Sequence, residues 1–323
     1  MNLLELSAPV AAAIALALLW VFESWYPLLN RRRDPKRMAR HFALAGMNAA
    51  VAVAFSGATL AVITLGDRLD VGVLRWLHLE RLAEPIGPNL AGLAWGALAF
   101  VMLDAWHYGF HVLAHKAPCL WRLHAVHHTD PDVDATTAMR FHCGEIALQC
   151  LMSLPVYLLL GVAMGHVLIY QLVLLPVAMF HHANVDLPER FDRPLRWLIV
   201  TPRMHLVHHS KWTPETDSNF AAVLSLWDRV FGTFRRRPDP RTIDLGLDGF
   251  TDEHVHRLGG MLQQPLSKAK SAHGRPPPAE HLEDGDAADA PRPEPPPEPP
   301  PESPPPRVAG RGLKEGVKEA SPA

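Results

Sequence analysis

Five apolar stretches, at roughly 9–29, 43–65, 90–110, 146–164 and 167–183, alternate with polar connections over the first two thirds of the chain. About twenty apolar residues cross the ~30 Å hydrocarbon core of a bilayer as a helix. The pattern therefore predicts an all-α, multi-pass transmembrane helical bundle of about four to five membrane segments. The last two stretches are short and carry Pro155 and Pro176. They read either as a hairpin that barely spans or as one that re-enters.

The first stretch has Glu5 but no basic residue before it, so it reads as a retained helix and not as a cleavable signal. Glu23 is expected at the interface, beside Trp20, Trp25 and Tyr26, which form an aromatic belt. Arg31 to Arg40 holds six Lys or Arg, which places that connection in the cytoplasm. Alternation then runs the third and fifth helices inward. Residues 67–89 mix Asp67, Arg68, Asp70 and Arg75 with Trp76 and Leu77, and read as an interfacial excursion on the opposite side.

The organisation that follows is an N-terminal membrane part at 1–89 and a histidine-rich part at 90–240. A short connecting segment at 241–263 and a tail at 264–323 complete it. The tail is rich in proline and charge, with runs such as Pro276 to Pro278 and Pro295 to Pro297, so disorder is its expected state. The overall 48% hydrophobic and 20% charged residues hide this division. A net charge of −2 gives no global field for nucleic acid. Cys119, Cys143 and Cys150 form neither a CxxC pair nor a disulfide framework.

Histidine changes the picture most. Thirteen of the 19 histidines lie between His107 and His209. Three clusters stand out: His111-Val-Leu-Ala-His115, His124-Ala-Val-His127-His128 and His205-Leu-Val-His208-His209. Neutral imidazole is the commonest metal-ligating side chain, and eight such rings suit a pair of ions. On a helix His111 and His115 share a face. In each HxxHH segment the i and i+3 positions share a face, while adjacent histidines diverge by about 100° and are free to serve different ions. By the alternation above, every cluster falls on the cytoplasmic side, in a histidine-rich helical cap. His41, His78 and His166 read as ordinary core or border residues.

The stretch from Asp104 to Phe234 resembles the fatty acid hydroxylase superfamily, the membrane histidine-box enzymes that include sterol desaturases and sphingolipid hydroxylases. The resemblance rests on Asp104-Ala-Trp-His107-Tyr-Gly-Phe-His111-Val-Leu-Ala-His115, on Leu120-Trp-Arg-Leu-His124-Ala-Val-His127-His128, and on Arg140-Phe-His142-Cys-Gly-Glu145. Phe180-His181-His182-Ala-Asn184, Thr201-Pro-Arg-Met-His205-Leu-Val-His208-His209, Asn219-Phe220 and Trp227-Asp228-Arg-Val-Phe231-Gly-Thr233 complete it. Val112 stands where the family usually has Arg, and Cys143 where it often has Pro.

The resemblance implies a non-haem centre of two iron ions on His111, His115, His124, His127, His128, His205, His208 and His209. His182 is the ninth ligand and His181 its rival. His107 and His142 stand at the edge, as ligands or as groups that hold ligands. Ligating histidines need their other ring nitrogen held, and Asp104, Glu145, Asn184, Asp217 and Asp228 are the expected holders. Arg140 is expected to pair with Glu145 or a lipid head group. Trp227 to Phe234 reads as an aromatic turn that anchors the cap to the membrane.

The implied activity is O2-dependent hydroxylation or desaturation of a lipid C–H bond, of sterol, fatty acyl or related class, with the lipid arriving from the bilayer. No haem or flavin segment is legible, so a separate electron-donor protein is expected. A metal transporter fits less well, because transport sites sit near the bilayer midplane and these clusters gather at one side. A haem protein with axial histidines leaves HxxHH unexplained.

Overall fold

The computed structural model describes residues 3–31, 33–77 and 88–267, and among these it is all-helical, without a strand. Five long helices form the frame: α1 (Leu3–Trp25), α2 (Pro35–Leu69), α4 (Pro88–Lys116), α6 (Cys143–Leu160) and α7 (Met164–His182). Short helices carry the rest: α3 (Val73–Trp76), α5 (Pro118–His128), α8 (Glu189–Leu195), α9 (Pro202–His208), α10 (Thr213–Thr216), α11 (Leu226–Val230) and α12 (Leu258–Gln263). Four of the long helices, α2, α4, α6 and α7, are long and apolar enough to cross a membrane. Neither Pro155 nor Pro176 breaks its helix. At 1.5 Å per residue, the 18 residues of α6 and 19 of α7 reach about 27–29 Å, close to one hydrocarbon thickness.

α1 packs along α7, α2 along α6, and α4 against both α6 and α7. Ile63, Leu74, Leu103, Tyr157, Val162, Val167 and Tyr170 form the core between them. At one end, Gly72 and Gly161 bring α2 and α6 into backbone contact. Both have positive φ, +131° and +71°, and a Cβ on Gly72 would overlap the Gly161 backbone.

The opposite end is polar. There the C-termini of α1, α4 and α7 meet the N-termini of α2 and α6. α2 begins at Pro35, well before its apolar run, because Asp34 caps it through the Lys36 N–H and its first turns stand in the polar layer. Arg37 is buried there, bonded to Asp130 at 2.7 Å and to Asp134 and the Asp132 carbonyl. His41 bonds Thr136 at 2.8 Å.

Arg37, one of the six basic residues of the Arg31–Arg40 connection, is thus neutralised inside the protein by Asp130 and Asp134. Two expectations change in this layer. Glu23 is no stranded interfacial charge: its Oε1 accepts the Ala135 and Asn184 N–H groups at 2.8 and 2.9 Å. Arg140 pairs with neither Glu145 nor a head group. Its Nε donates to the Val126 carbonyl and its other nitrogens face Thr129, His41 and His256. Burial lowers the Arg140 pKa to about 10, and nearby Asp130 opposes that fall.

The chain stays folded past residue 263. Gln264–Leu266 form a 3-10 turn, with Gln264 buried against Thr129. The far-side excursion is described only to Leu77, as α3 and its cap. Residues 78–87, with His78, and the tail from 268 lie outside the described residues.

Candidate metal centre

The histidine boxes sit where helices end. His111 and His115 occupy the last turns of α4, and Ala117, extended at φ −89°, breaks the chain before Pro118 opens α5. α5 folds back on α4 and carries His124, His127 and His128. His182 is the last residue of α7. α9 starts on Pro202 and carries His205 and His208, with His209 at its cap.

Nine histidines converge into two groups, each with ligand atoms within 4.8 Å of one another. Group one holds His111, His115, His124, His128 and His208; group two holds His127, His182, His205 and His209. In α5 the i and i+4 residues, His124 and His128, share group one while His127 crosses to group two. The second HxxHH segment inverts this: His205 and His209 share group two and His208 crosses to group one. The sharing is therefore i, i+4 and not the expected i, i+3.

The nitrogen positions test whether a cation fits. His111 Nδ1 lies 2.7 Å from the Phe220 carbonyl and His208 Nδ1 lies 2.7 Å from the Ser218 carbonyl. His124 Nδ1 faces Glu145 Oε1 at 2.8 Å, and His115 Nδ1 faces Asp217 Oδ1 at 3.3 Å. These oxygens only accept, so each Nδ1 carries the proton and each Nε2 presents a lone pair. Yet His111 Nε2 and His124 Nε2, both with Nδ1 so held, stand 3.2 Å apart. Lone pairs aimed at one another in a buried site repel unless a positive ion lies between them.

In group two one ring is held in the same way, while His127 Nδ1, His205 Nδ1 and both His209 nitrogens are buried without a hydrogen-bond partner. His182 Nδ1 bonds the Ala178 carbonyl at 2.7 Å, and its Nε2 lies 3.0 Å from those of His127 and His205. The donor set, all imidazole, suits a first-row transition ion. Burial first, and then neighbouring imidazoles, hold His127, His128, His205 and His209 well below the ordinary imidazole value. For His208 the causes are burial and His111. The rings are thus in the neutral form that ligation requires.

The edge histidines stand outside both groups. His107 bonds the Leu103 carbonyl of its own helix at 3.3 Å and lies beside Tyr170. His142 caps α6, with Nδ1 accepting the Gly144 N–H, and its Nε2 faces the Leu262 carbonyl at 3.2 Å. Both of its nitrogens are spent. His181 lies against His182 and His205, and its Nδ1 is buried without a hydrogen-bond partner.

Two of the five expected holders meet a histidine ring, Glu145 and Asp217. The other three are corrected by the structure. Asp104 accepts Tyr170 Oη, the Val223 and Leu224 N–H groups and Trp227 Nε1, joining α4, α7 and the segment before α11. Asn184 exchanges two bonds with the Leu29 backbone and so ties the end of α1 to the segment after α7. Asp228 accepts the Phe220 and Ala221 N–H groups and the Thr233 hydroxyl. It steadies the strand-like segment whose carbonyl holds His111. Burial raises its carboxyl pKa to about 6. Each spends its polar side-chain atoms on backbone groups and on side chains other than the histidine rings.

Asn219 was legible only as part of a motif, and its role was not. It is buried with φ +51°, and its side chain bonds the Met204 and Arg235 carbonyls and the Arg235 N–H. That left-handed turn aims the flanking Ser218 and Phe220 carbonyls at His208 and His111. Asn is the residue type most at ease there after glycine. Val112 packs partly buried beside Tyr108, Met204 and Phe220, and Cys143 opens α6 next to the His142 cap.

Residues 96–233 match the fatty acid hydroxylase family. The chain is 32% identical over 196 residues to the ornithine lipid hydroxylase OlsE of Rhizobium tropici, covering 60% of this chain and 57% of that protein. It is 34% identical over 150 residues to the alkylglycerol monooxygenase of Xenopus tropicalis, covering 46% and 32%. With the cholesterol 25-hydroxylase of Rattus norvegicus it shares 27% over 191 residues, covering 56% and 61%. The chain thus spans between about a third and three fifths of these relatives. No solved structure matches it. The matched residues, 96–233, contain all nine grouped histidines.

Proposed function

We propose that this chain is an integral-membrane, O2-dependent oxidoreductase that hydroxylates a C–H bond of a membrane lipid at a centre of two iron ions. The observation that carries the reading is the sorting of nine buried histidines into two adjoining groups at the end of apolar helices. His111, His115, His124, His128 and His208 would hold one ion, and His127, His182, His205 and His209 the other. When bound, such a pair supplies dioxygen activation and the oxidising power for an unactivated C–H bond. The overall change is RH + O2 + 2 electrons + 2 protons giving ROH + H2O, with the electrons from a separate donor protein.

The chain's own residues position and seal this centre. Glu145, Asp217 and the Ser218 and Phe220 carbonyls fix ring tautomers and directions. Phe220 lies against His111, His115 and His208, at ring distances of 5.6, 5.0 and 5.7 Å. Tyr108 stands behind it, stacked on membrane-side Phe231 at 5.2 Å. A hydrocarbon chain from the bilayer would meet the centre along this wall, which keeps bulk water away. The similar proteins are two hydroxylases and a monooxygenase, which favours hydroxylation over desaturation. The basic residues Arg31, Arg33, Lys36 and Arg40, beside the polar layer, support a cytoplasmic placement.

The test is a lipid comparison. Extracts from cells with the intact chain should contain an oxygenated lipid that is missing with His127→Ala, and the purified intact chain should carry iron. Identical lipid profiles with reductant present, or vesicle flux of zinc that depends on His124 and His205, would overturn the reading.

A further inference from the structure

Six large apolar side chains crowd one outer face of the cap: Phe191, Trp197 and Leu198 around α8, and Leu226, Val230 and Phe231 around α11. Each is between 48% and 67% exposed. The two short helices are one surface. Ile199 and Leu224 form an antiparallel bridge, the Ser225 N–H donates to the Leu198 carbonyl, and the Ser225 hydroxyl donates to the Arg196 carbonyl. Proteins surrounded by water rarely show a contiguous apolar patch above a few hundred Å².

Two contacts fix the level of this face. Phe231 stacks on Tyr108 of α4, one turn before His111. The chain leading into α8 is tied to the end of α1 by the Asp186 N–H donating to the Tyr26 carbonyl. The face therefore lies at the height where spanning helices end, which is where bilayers take tryptophan and tyrosine. Its charge is cationic. Arg190 and Arg193 are exposed, and Arg229 lies over the Trp197 and Phe234 rings at 4.4 and 4.2 Å. The acids nearby are spent: Asp192 is buried against Arg196, and Glu189 pairs with Arg196 and Arg236.

We propose that α8 and α11 form a platform sunk into the leaflet on the histidine side, with anionic phospholipid head groups held by Arg190 and Arg193. The rings lie among acyl chains and the guanidinium groups reach the phosphates, as snorkelling side chains do. This interaction surface does not depend on the lipid-oxidising reading.

Spin labels on Leu198→Cys and Val230→Cys test it, in the full chain with its three native cysteines changed to serine and reconstituted in phosphatidylcholine discs. A label at Asp239→Cys, on an exposed loop, is the aqueous control. Molecular oxygen should relax the 198 and 230 labels several-fold more than a water-soluble nickel chelate does, with the reverse at 239. Adding phosphatidylglycerol should deepen both labels, and Arg190→Glu with Arg193→Glu should abolish that deepening alone. Nickel-dominated relaxation at 198 and 230 overturns the platform. So does dipolar broadening between copies, which would make the face a contact between two chains. A depth indifferent to phosphatidylglycerol overturns the head-group site.

Discussion

His127 and His128 are chain neighbours that serve different groups. His127 Nε2 lies 3.0 Å from His182 Nε2, whereas His128 Nε2 lies 3.2 Å from His124 Nε2. A helix turns about 100° per residue, so two successive side chains aim at two points a few ångströms apart. One rigid segment thereby sets the separation of both groups, and the second HxxHH segment sets it again from the opposite side.

Glu145 is the clearest handle on ring orientation. Its carboxylate meets His124 Nδ1 at 2.8 Å inside the protein. Glu145→Ala should weaken metal binding by about 10- to 100-fold, while Glu145→Gln, which keeps an acceptor oxygen, should lose less. Competition with a chelator of known affinity measures both. Unchanged affinity in Glu145→Ala would remove Glu145 from the support of the centre.

Asn219 can be separated into backbone and side-chain parts. Asn219→Gly keeps the left-handed turn but loses three hydrogen bonds, one buried and two part-buried, a loss of about 2–4 kcal/mol. Asn219→Ala adds backbone strain at φ +51° and should be worse by about 1 kcal/mol. Thermal unfolding in detergent orders the variants. Metal content should fall first from group one, whose His111 and His208 lose their carbonyl partners.

Asp104 gathers four donors on a fully buried carboxylate. Asp104→Ala strands all four, with an expected cost of about 3–5 kcal/mol. Loss of stability with intact metal binding in the surviving folded fraction is the outcome expected of a structural keystone. Selective loss of metal without loss of stability would return it to the centre.

Stability of the metal-free chain should depend on pH with a definite sign. Burial holds His127, His128, His205, His208 and His209 well below their ordinary value of 6.5. Below that value the unfolded chain binds protons that the folded chain refuses, so stability falls as pH falls, by up to ~1.4 kcal/mol per pH unit for each ring. Thermal midpoints across about pH 7 to 5 should drop steadily. A flat profile would mean the rings already carry protons when folded.

The apolar runs and the histidine spacing carried most of the architecture, because a membrane permits only helices whose length matches its thickness. Eight of the nine grouped rings stood out by their spacing and the ninth, His182, by the family resemblance. The grouping within each HxxHH segment did not, because i, i+4 residues share a group where i, i+3 was expected. The supporting contacts were not legible either. Whether Asp104 meets a ring or a backbone N–H depends on where α11 returns, and no local pattern records that return. Glu23 looked like a border charge and Arg37 like one more member of a basic connection because their partners, 112 and 93 residues away in the chain, respectively, become visible only after folding.

Metal counting on the purified chain and two single variants tests the central claim most directly. The intact chain should bind two ions, and His208→Ala and His209→Ala should each retain close to one. Their single ions should differ in spectrum, since His208 belongs to group one and His209 to group two. If the intact chain binds a single ion, or if both variants lose the same one, the two-group centre is wrong.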